Sequence, residues 1–212
     1  MRNDKIVLYF VLIFLLSIFM PSPFNAQARE KINLVASFSI LADIAEQIGG
    51  DRINVESLIG PEADGHSFEP RPSDIQKLLR SDVILINGLG FEGWSDRLAA
   101  SHDVMKDPHA WQDVENVRRY ARTIASALIG ADPDHKTYYE DNLARYDARL
   151  VALDQMIRAT ISSIPPERRK LVTTHDAFAY FEKAYGIDMI APLGLAPEAQ
   201  PSAKDIAAII AK

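Results

Sequence analysis

A chain of 212 residues, 48% of them apolar and 25% charged, has the composition of a folded protein with room for one full domain or two small lobes. That balance excludes disorder, collagen and low-complexity sequence. With 23 basic against 29 acidic residues the net charge is −6, no basic patch stands out, and a nucleic-acid partner is set aside.

Residues 1–28 read as a separate segment. Ile6 to Met20 is almost unbroken apolar sequence behind Arg2 and Lys5, Pro21 and Pro23 follow, and Ala26-Gln27-Ala28 puts small residues at both cleavage positions. A run of about fifteen apolar residues is short for a membrane span of about twenty. The pattern predicts a secretory signal peptide, cleaved after Ala28. The remaining 184 residues would carry a charge of −7, contain no second membrane-spanning run, and reside in the periplasm or an equivalent extracytoplasmic space. The sequence contains no cysteine, so its 212 residues supply no disulfide, thiolate ligand, thiol nucleophile or lipidated amino-terminal cysteine. Whatever chemistry it performs uses nitrogen and oxygen.

From Lys31 onward short β-type runs alternate with amphipathic helical runs, which predicts α/β lobes built on parallel sheets. A strand over 32–36 leads to a helix over 39–48, stopped by Gly49-Gly50. Strands follow at 53–59 and 83–87, with a helix between them that opens at Ser73 through a Ser73/Gln76 capping box. A helix over 113–129 comes next. Asp132-Pro133 then supplies an N-cap and a first-turn proline to a run without Gly or Pro up to Pro165. In that run Tyr139, Leu143, Tyr146, Leu150, Leu153, Ile157, Ile161 and Ile164 recur at spacings of three and four, forming one apolar stripe. Some thirty helical residues span about 45 Å, which suits a brace between two lobes better than a coiled-coil arm of about four heptads. A second βα series begins after Pro165-Pro166, with strands at 170–173 and 188–191, a helix over 177–185 closed by Gly186, and a further helix from Ser202. The predicted organisation is a first lobe at 29–131, a long linking helix at 132–165, and a partial second lobe at 166–212, shorter than a self-sufficient core requires.

Three of the five histidines lie in loops just beyond a strand or just before a helix. His66 stands in Asp64-Gly65-His66-Ser67-Phe68-Glu69-Pro70, His109 in Asp107-Pro108-His109-Ala110-Trp111, and His175 after Thr173-Thr174, where open parallel sheets bind ligands. Neutral imidazoles suit zinc, and three of them make a ligand set without thiolate. A single histidine in such a loop is more often hydrogen-bonded or solvated, and intervals of 43 and 66 residues converge only if the fold brings them together. His102, in a compressed linker, and His135, near the start of the long helix, are read as solvated, and Arg168-Arg169-Lys170 as a helix exit or solvated edge.

Taken together, 66-HSFEPRPSD-74, 107-DPHAW-111 and 174-THDAF-178 resemble, in order and context, the zinc- and manganese-type solute-binding proteins of bacterial ABC importers, the ZnuA/TroA-like family. The likeness runs from about Ile32 to Lys212 and takes in Asn87-Gly88-Leu89-Gly90, the long helix and Pro201-Ser202-Ala203-Lys204. It implies two βα lobes joined by a rigid helix, one metal ion in the cleft between them, and a monomer that delivers the ion to an inner-membrane permease with its ATPase. Carried over, His66 and His109 come from the first lobe and His175 from the second, while Glu69 and Asp176 are candidates to accept the imidazoles' other N–H groups. Three nitrogens favour Zn2+ over Mn2+, which prefers oxygen. The manganese branch typically has an acid where this chain has His175. In two respects the chain departs from the family pattern: it stops before the region that usually supplies a fourth, acidic ligand, which makes it look truncated, and only residues 95–106 stand where relatives carry a further strand and variable loop. Water, Glu62 or Asp64 could fill the fourth position. Two other readings share the residues: a secreted zinc-dependent hydrolase, for which no His-Glu-x-x-His or Gly-x-Ser-x-Gly motif is present, and a non-transporting adhesin or degenerate fragment of the same fold.

Overall fold

Central strand β1 (Ile32–Phe38) carries INLVASF, of which all but Asn33 are buried, the pattern of a parallel strand covered on both faces. β2 (Ile53–Ile59) and β3 (Val83–Leu85) pair with it in parallel, Ile32 beside Ile53 and Leu34 beside Val83, in the order β2-β1-β3. A second sheet pairs β4 (Lys170–Val172) in parallel with β5 (Asp188–Ile190). These elements come from a computed structural model that describes residues 31–94 and 107–194 together with 202, 206 and 207. The expected signal peptide, His102 in its linker and nearly all of the helix expected from Ser202 lie outside the described residues. Among the described residues no helix is long and apolar enough to cross a membrane.

α1 (Ser39–Gly49) turns Leu41, Ala42, Ile44, Ala45 and Ile48 inward, and α3 (Val114–Ala131) turns Val114, Ala121, Ile124, Ala125 and Leu128 inward. Together with β1 and the long helix α4 (Lys136–Ser162) they form one continuous core. Side chains as enclosed as Leu34, Ile44, Ile48 and Leu128 stabilise the fold by about 1.5–3 kcal/mol each. α4 runs for 27 residues, about 40 Å at 1.5 Å per residue, and packs against α1 and α3 of the first series and α5 (Ala179–Tyr185) of the second. Its stripe is as expected at Tyr139, Tyr146, Leu150 and Ile161, whereas Leu153 is 39% exposed.

Helix starts differ from expectation, for reasons of burial and sterics. α2 (Pro72–Arg80) begins with Pro72 in its first turn, so the cap forms two residues earlier than the Ser73/Gln76 pair: the Asp74 carboxylate accepts the Arg71 N–H at 2.9 Å. Asp132 makes no cap bond, and residues 133–135 form a short 3-10 turn before α4. The Asp132 carboxylate is instead buried, accepting from Arg52 at 3.2 Å and from the Tyr139 hydroxyl at 3.0 Å and lying 3.0 Å from the His135 ring. Burial alone would raise its pKa, but the bonds from His135, Tyr139 and Arg52 bring it below the usual value. His135, expected to be solvated, is thereby a partner in this cluster. Arg169, within the basic triplet, donates to the Ile164 carbonyl at 2.9 Å and the Ser162 carbonyl at 3.4 Å, closing the exit of α4 as expected.

Candidate metal centre

Because the strands within each sheet run parallel, their carboxyl ends share an edge, and His66 and His175 follow from there. His66 lies in the loop after β2, His109 in the segment that enters α3, and His175 just beyond β4. Each is set by a short polar residue two positions earlier. Asp64 accepts the His66 N–H at 2.9 Å, Asp107 accepts the His109 N–H at 3.0 Å, and the Thr173 hydroxyl donates to the His175 carbonyl at 3.0 Å. Gly65 lets the first loop lie against the Phe91 ring, since a Cβ there would stand 2.3 Å from Phe91 Cζ.

His66, His109 and His175 converge, each offering one ring nitrogen, and all three nitrogens lie within 4.8 Å of one another. The Nε2 atoms of His66 and His109 are 3.1 Å apart. Two imidazole nitrogens on one tetrahedral zinc, each about 2.05 Å from it, stand about 3.3 Å from each other, so this pair already has ligand spacing. Ring centroids are separated by 5.1 Å for His66 and His109, 5.3 Å for His109 and His175, and 5.9 Å for His66 and His175.

His109 is 3% exposed and its Nδ1 lies 2.8 Å from Asp107 Oδ1. A carboxylate there takes the Nδ1–H, which leaves the Nε2 lone pair facing the other two rings. His175 is held below its ordinary pKa by burial and then by the nearby His109, against an opposing pull from Asp64 and Asp176, so its neutral, ligating form is favoured. The cavity onto which the rings open measures about 390 Å³ and is walled by Phe38, Phe91 and Trp111 among others. Phe91 meets the His66 ring edge-on at 5.2 Å and Trp111 meets His109 at 5.4 Å, so aromatic surface lies against both rings. Glu69 and Asp176, the acids singled out from sequence, are both exposed. Asp107 is not among the acids expected from sequence, although Asp-x-His occurs at both 64–66 and 107–109 and that repeat is the signal for it.

The model of the family described as zinc-uptake complex component A, periplasmic (ZnuA), matches residues 34–212. The chain belongs to this family. The manganese ABC transporter substrate-binding lipoprotein PsaA of Streptococcus pneumoniae is 36% identical over 192 residues, covering 77% of this chain and 62% of its own length. Among solved structures, the periplasmic zinc-binding protein TroA from Treponema pallidum superposes with a TM-score of 0.79 at 27% identity, over 85% of this chain and 73% of that one. Fe(III)-bound YtgA from Chlamydia trachomatis gives 0.77 at 28% identity, over 85% and 76%. The chain thus spans about three fifths of the length of the curated relative, at 62%. The α/β architecture with parallel sheets and a long helix is that of the TroA-like structures, as the sequence led us to expect. The ZnuA family is one of solute-binding proteins, so the hydrolase reading is dropped.

Proposed function

We propose that this ZnuA-family chain is the extracytoplasmic metal-capturing component of an ABC importer, binding one Zn2+ through His66, His109 and His175. It acts as a monomer and hands the ion to an inner-membrane permease with its ATPase. Export would follow cleavage after Ala28, and Glu69 and Asp176 would orient the ligating rings. The observation that carries the reading is the convergence of three ring nitrogens within 4.8 Å, brought from a loop after a strand of each sheet and from the entrance to a helix. Support for zinc over manganese comes from the donors, because an all-imidazole set is softer than the oxygen-rich sites manganese prefers. The names of relatives divide on this point: PsaA is called a manganese protein, TroA a zinc protein, and YtgA is Fe(III)-bound.

The test is stoichiometric titration of the purified chain with Zn2+ and Mn2+ beside the triple variant H66A/H109A/H175A. The expected result is one zinc per chain, weaker manganese, no zinc in the variant, and a thermal upshift that the variant lacks. At free zinc of 100 times Kd the stabilisation is about 2.7 kcal/mol. A melting temperature unmoved by either metal would return the chain to the non-transporting reading, and tighter binding of manganese would refute the choice of metal.

A further inference from the structure

Glu92 is 1% exposed and stands outside the lining of the cavity onto which the three histidines open. A carboxylate so placed needs donors, and it has three. The Ser37 hydroxyl on β1 donates to Oε1 at 2.6 Å, the Asn87 backbone N–H to Oε1 at 2.8 Å, and the Gly88 N–H to Oε2 at 2.9 Å. The chain it folds around itself is an unusual one. Gly88, Leu89 and Gly90 all have positive φ, at 73°, 57° and 85°, and the Phe91 N–H returns to the Gly88 carbonyl at 3.0 Å. Leu89 carries a side chain in a left-handed conformation that such residues seldom adopt, so the turn persists because its surroundings hold it.

Two arms leave this turn, one toward each histidine of the first series. Asn87 Nδ2 donates to the Pro108 carbonyl at 2.8 Å, on the residue directly before His109. The orientation of that amide is set from behind, because the Tyr120 hydroxyl donates to Asn87 Oδ1 at 2.8 Å. Tyr120 is pushed up to about 12, chiefly by burial, and so keeps its proton. Phe91, adjacent to Glu92, supplies the ring against which Gly65 and His66 pack. Among the described residues no such arm reaches His175, which belongs to the second series.

We infer that Glu92 is a positioning residue for the metal centre: by pinning the Asn87–Phe91 turn to β1 it sets His109 through Asn87 and Pro108, and His66 through Phe91. The inference rests on the proposed zinc reading of the three histidines and adds a part for a group that contacts neither metal nor ligand. E92Q keeps the shape but offers an amide in place of one acceptor, which leaves a backbone N–H facing NH2. N87A keeps the backbone bonds of the turn to Glu92 and removes the arm to Pro108, along with that amide's bonds to the Tyr120 hydroxyl and the Gly88 carbonyl.

The experiment measures zinc affinity of the full chain by chelator competition, and the visible absorption of the Co2+ form, for wild type, E92Q, N87A and D132A. All are compared at a temperature where circular dichroism shows each folded. D132A is the structural control, since Asp132 lies in a separate cluster with Arg52, Tyr139 and His135 and its loss should lower stability alone. Expected are a 10- to 100-fold loss of zinc affinity and an altered cobalt spectrum in both E92Q and N87A, with D132A unchanged in both. Should E92Q not fold, N87A decides the matter. Wild-type affinity and spectrum in folded N87A overturn the positioning role while leaving the zinc reading intact. Equal zinc binding by wild type and the triple histidine variant overturns both.

Discussion

Substituting Gly65 by alanine tests the construction of the site without touching a ligand. A Cβ at this position would lie 2.3 Å from Phe91 Cζ, 2.9 Å from Cε1 and 3.0 Å from Cε2. Ordinary carbon contacts begin near 3.5 Å, so ring or loop must retreat by about 1 Å. The ring is not free to do so: Phe91 is 6% exposed and wedged between Phe38, at 4.9 Å, and Trp111, at 5.4 Å. The loop therefore yields, and His66 is its next residue. Metal–nitrogen distances tolerate about 0.2 Å, so a displacement of about 1 Å takes one of three ligands out of bonding range. The expected cost is about 1–3 kcal/mol of folding stability from overpacking and a 10- to 100-fold weaker zinc complex. G60A is the matched control, because a Cβ at Gly60, in the same loop, meets nothing within 4 Å. Chelator competition and thermal denaturation of both variants are the assays. Wild-type zinc affinity in G65A would refute the claim that Phe91 sets the position of His66.

Removing the carboxylate beside the buried imidazole, in D107A, should weaken zinc by about 10- to 100-fold, because His109 Nδ1–H loses the partner 2.8 Å away that fixes its tautomer; undiminished affinity by competition titration would count against it. Proton competition has a defined direction: His175 lies below its ordinary value of 6.5, so the neutral form's contribution is fully present above that pH and is lost as pH falls through the lower folded value. Zinc should stay bound at pH 6.5 and leave below it, and affinity that is flat from about pH 7.5 to 4.5 would exclude three neutral imidazoles. D132A strips Arg52, His135 and Tyr139 of their shared buried acceptor and should cost about 3 kcal/mol in urea denaturation with zinc affinity unchanged; a loss below about 1 kcal/mol would mean that the cluster is already solvated.

Local periodicity made most elements of the first series legible before any coordinates. β2 occupies residues 53–59 as expected, and the long helix differs mainly at its start. The discrepancies share a cause. At Asp132 and at Ser73 the sequence offers good capping chemistry, but burial beside Arg52 and Tyr139 in one case and Pro72 in the first turn in the other redirect the polar groups. Tertiary partners 80 residues away, as Arg52 is from Asp132, leave no trace in local pattern. The three histidines could be singled out because each follows or precedes an element end, yet their convergence is a property of the fold. Glu92 was hidden differently. In Leu89-Gly90-Phe91-Glu92-Gly93-Trp94 it reads as one acid in a turn, and only the burial of Phe91 and Trp94 on either side of it shows that its carboxylate lies inside.

The three histidines of the proposed site are supported unequally. His66 and His109 are fixed by Gly65 against Phe91, by Asp107, by the Asn87 arm and by aromatic faces, so their nitrogens already stand 3.1 Å apart. His175 follows β4, all three of whose residues are exposed, Leu171 at 50% and Val172 at 64%. A parallel pair uncovered in this way contributes little burial to hold its end in place. On the proposed zinc reading the cost of ordering His66 and His109 is met by the fold, whereas much of the cost of ordering His175 would fall on metal binding itself.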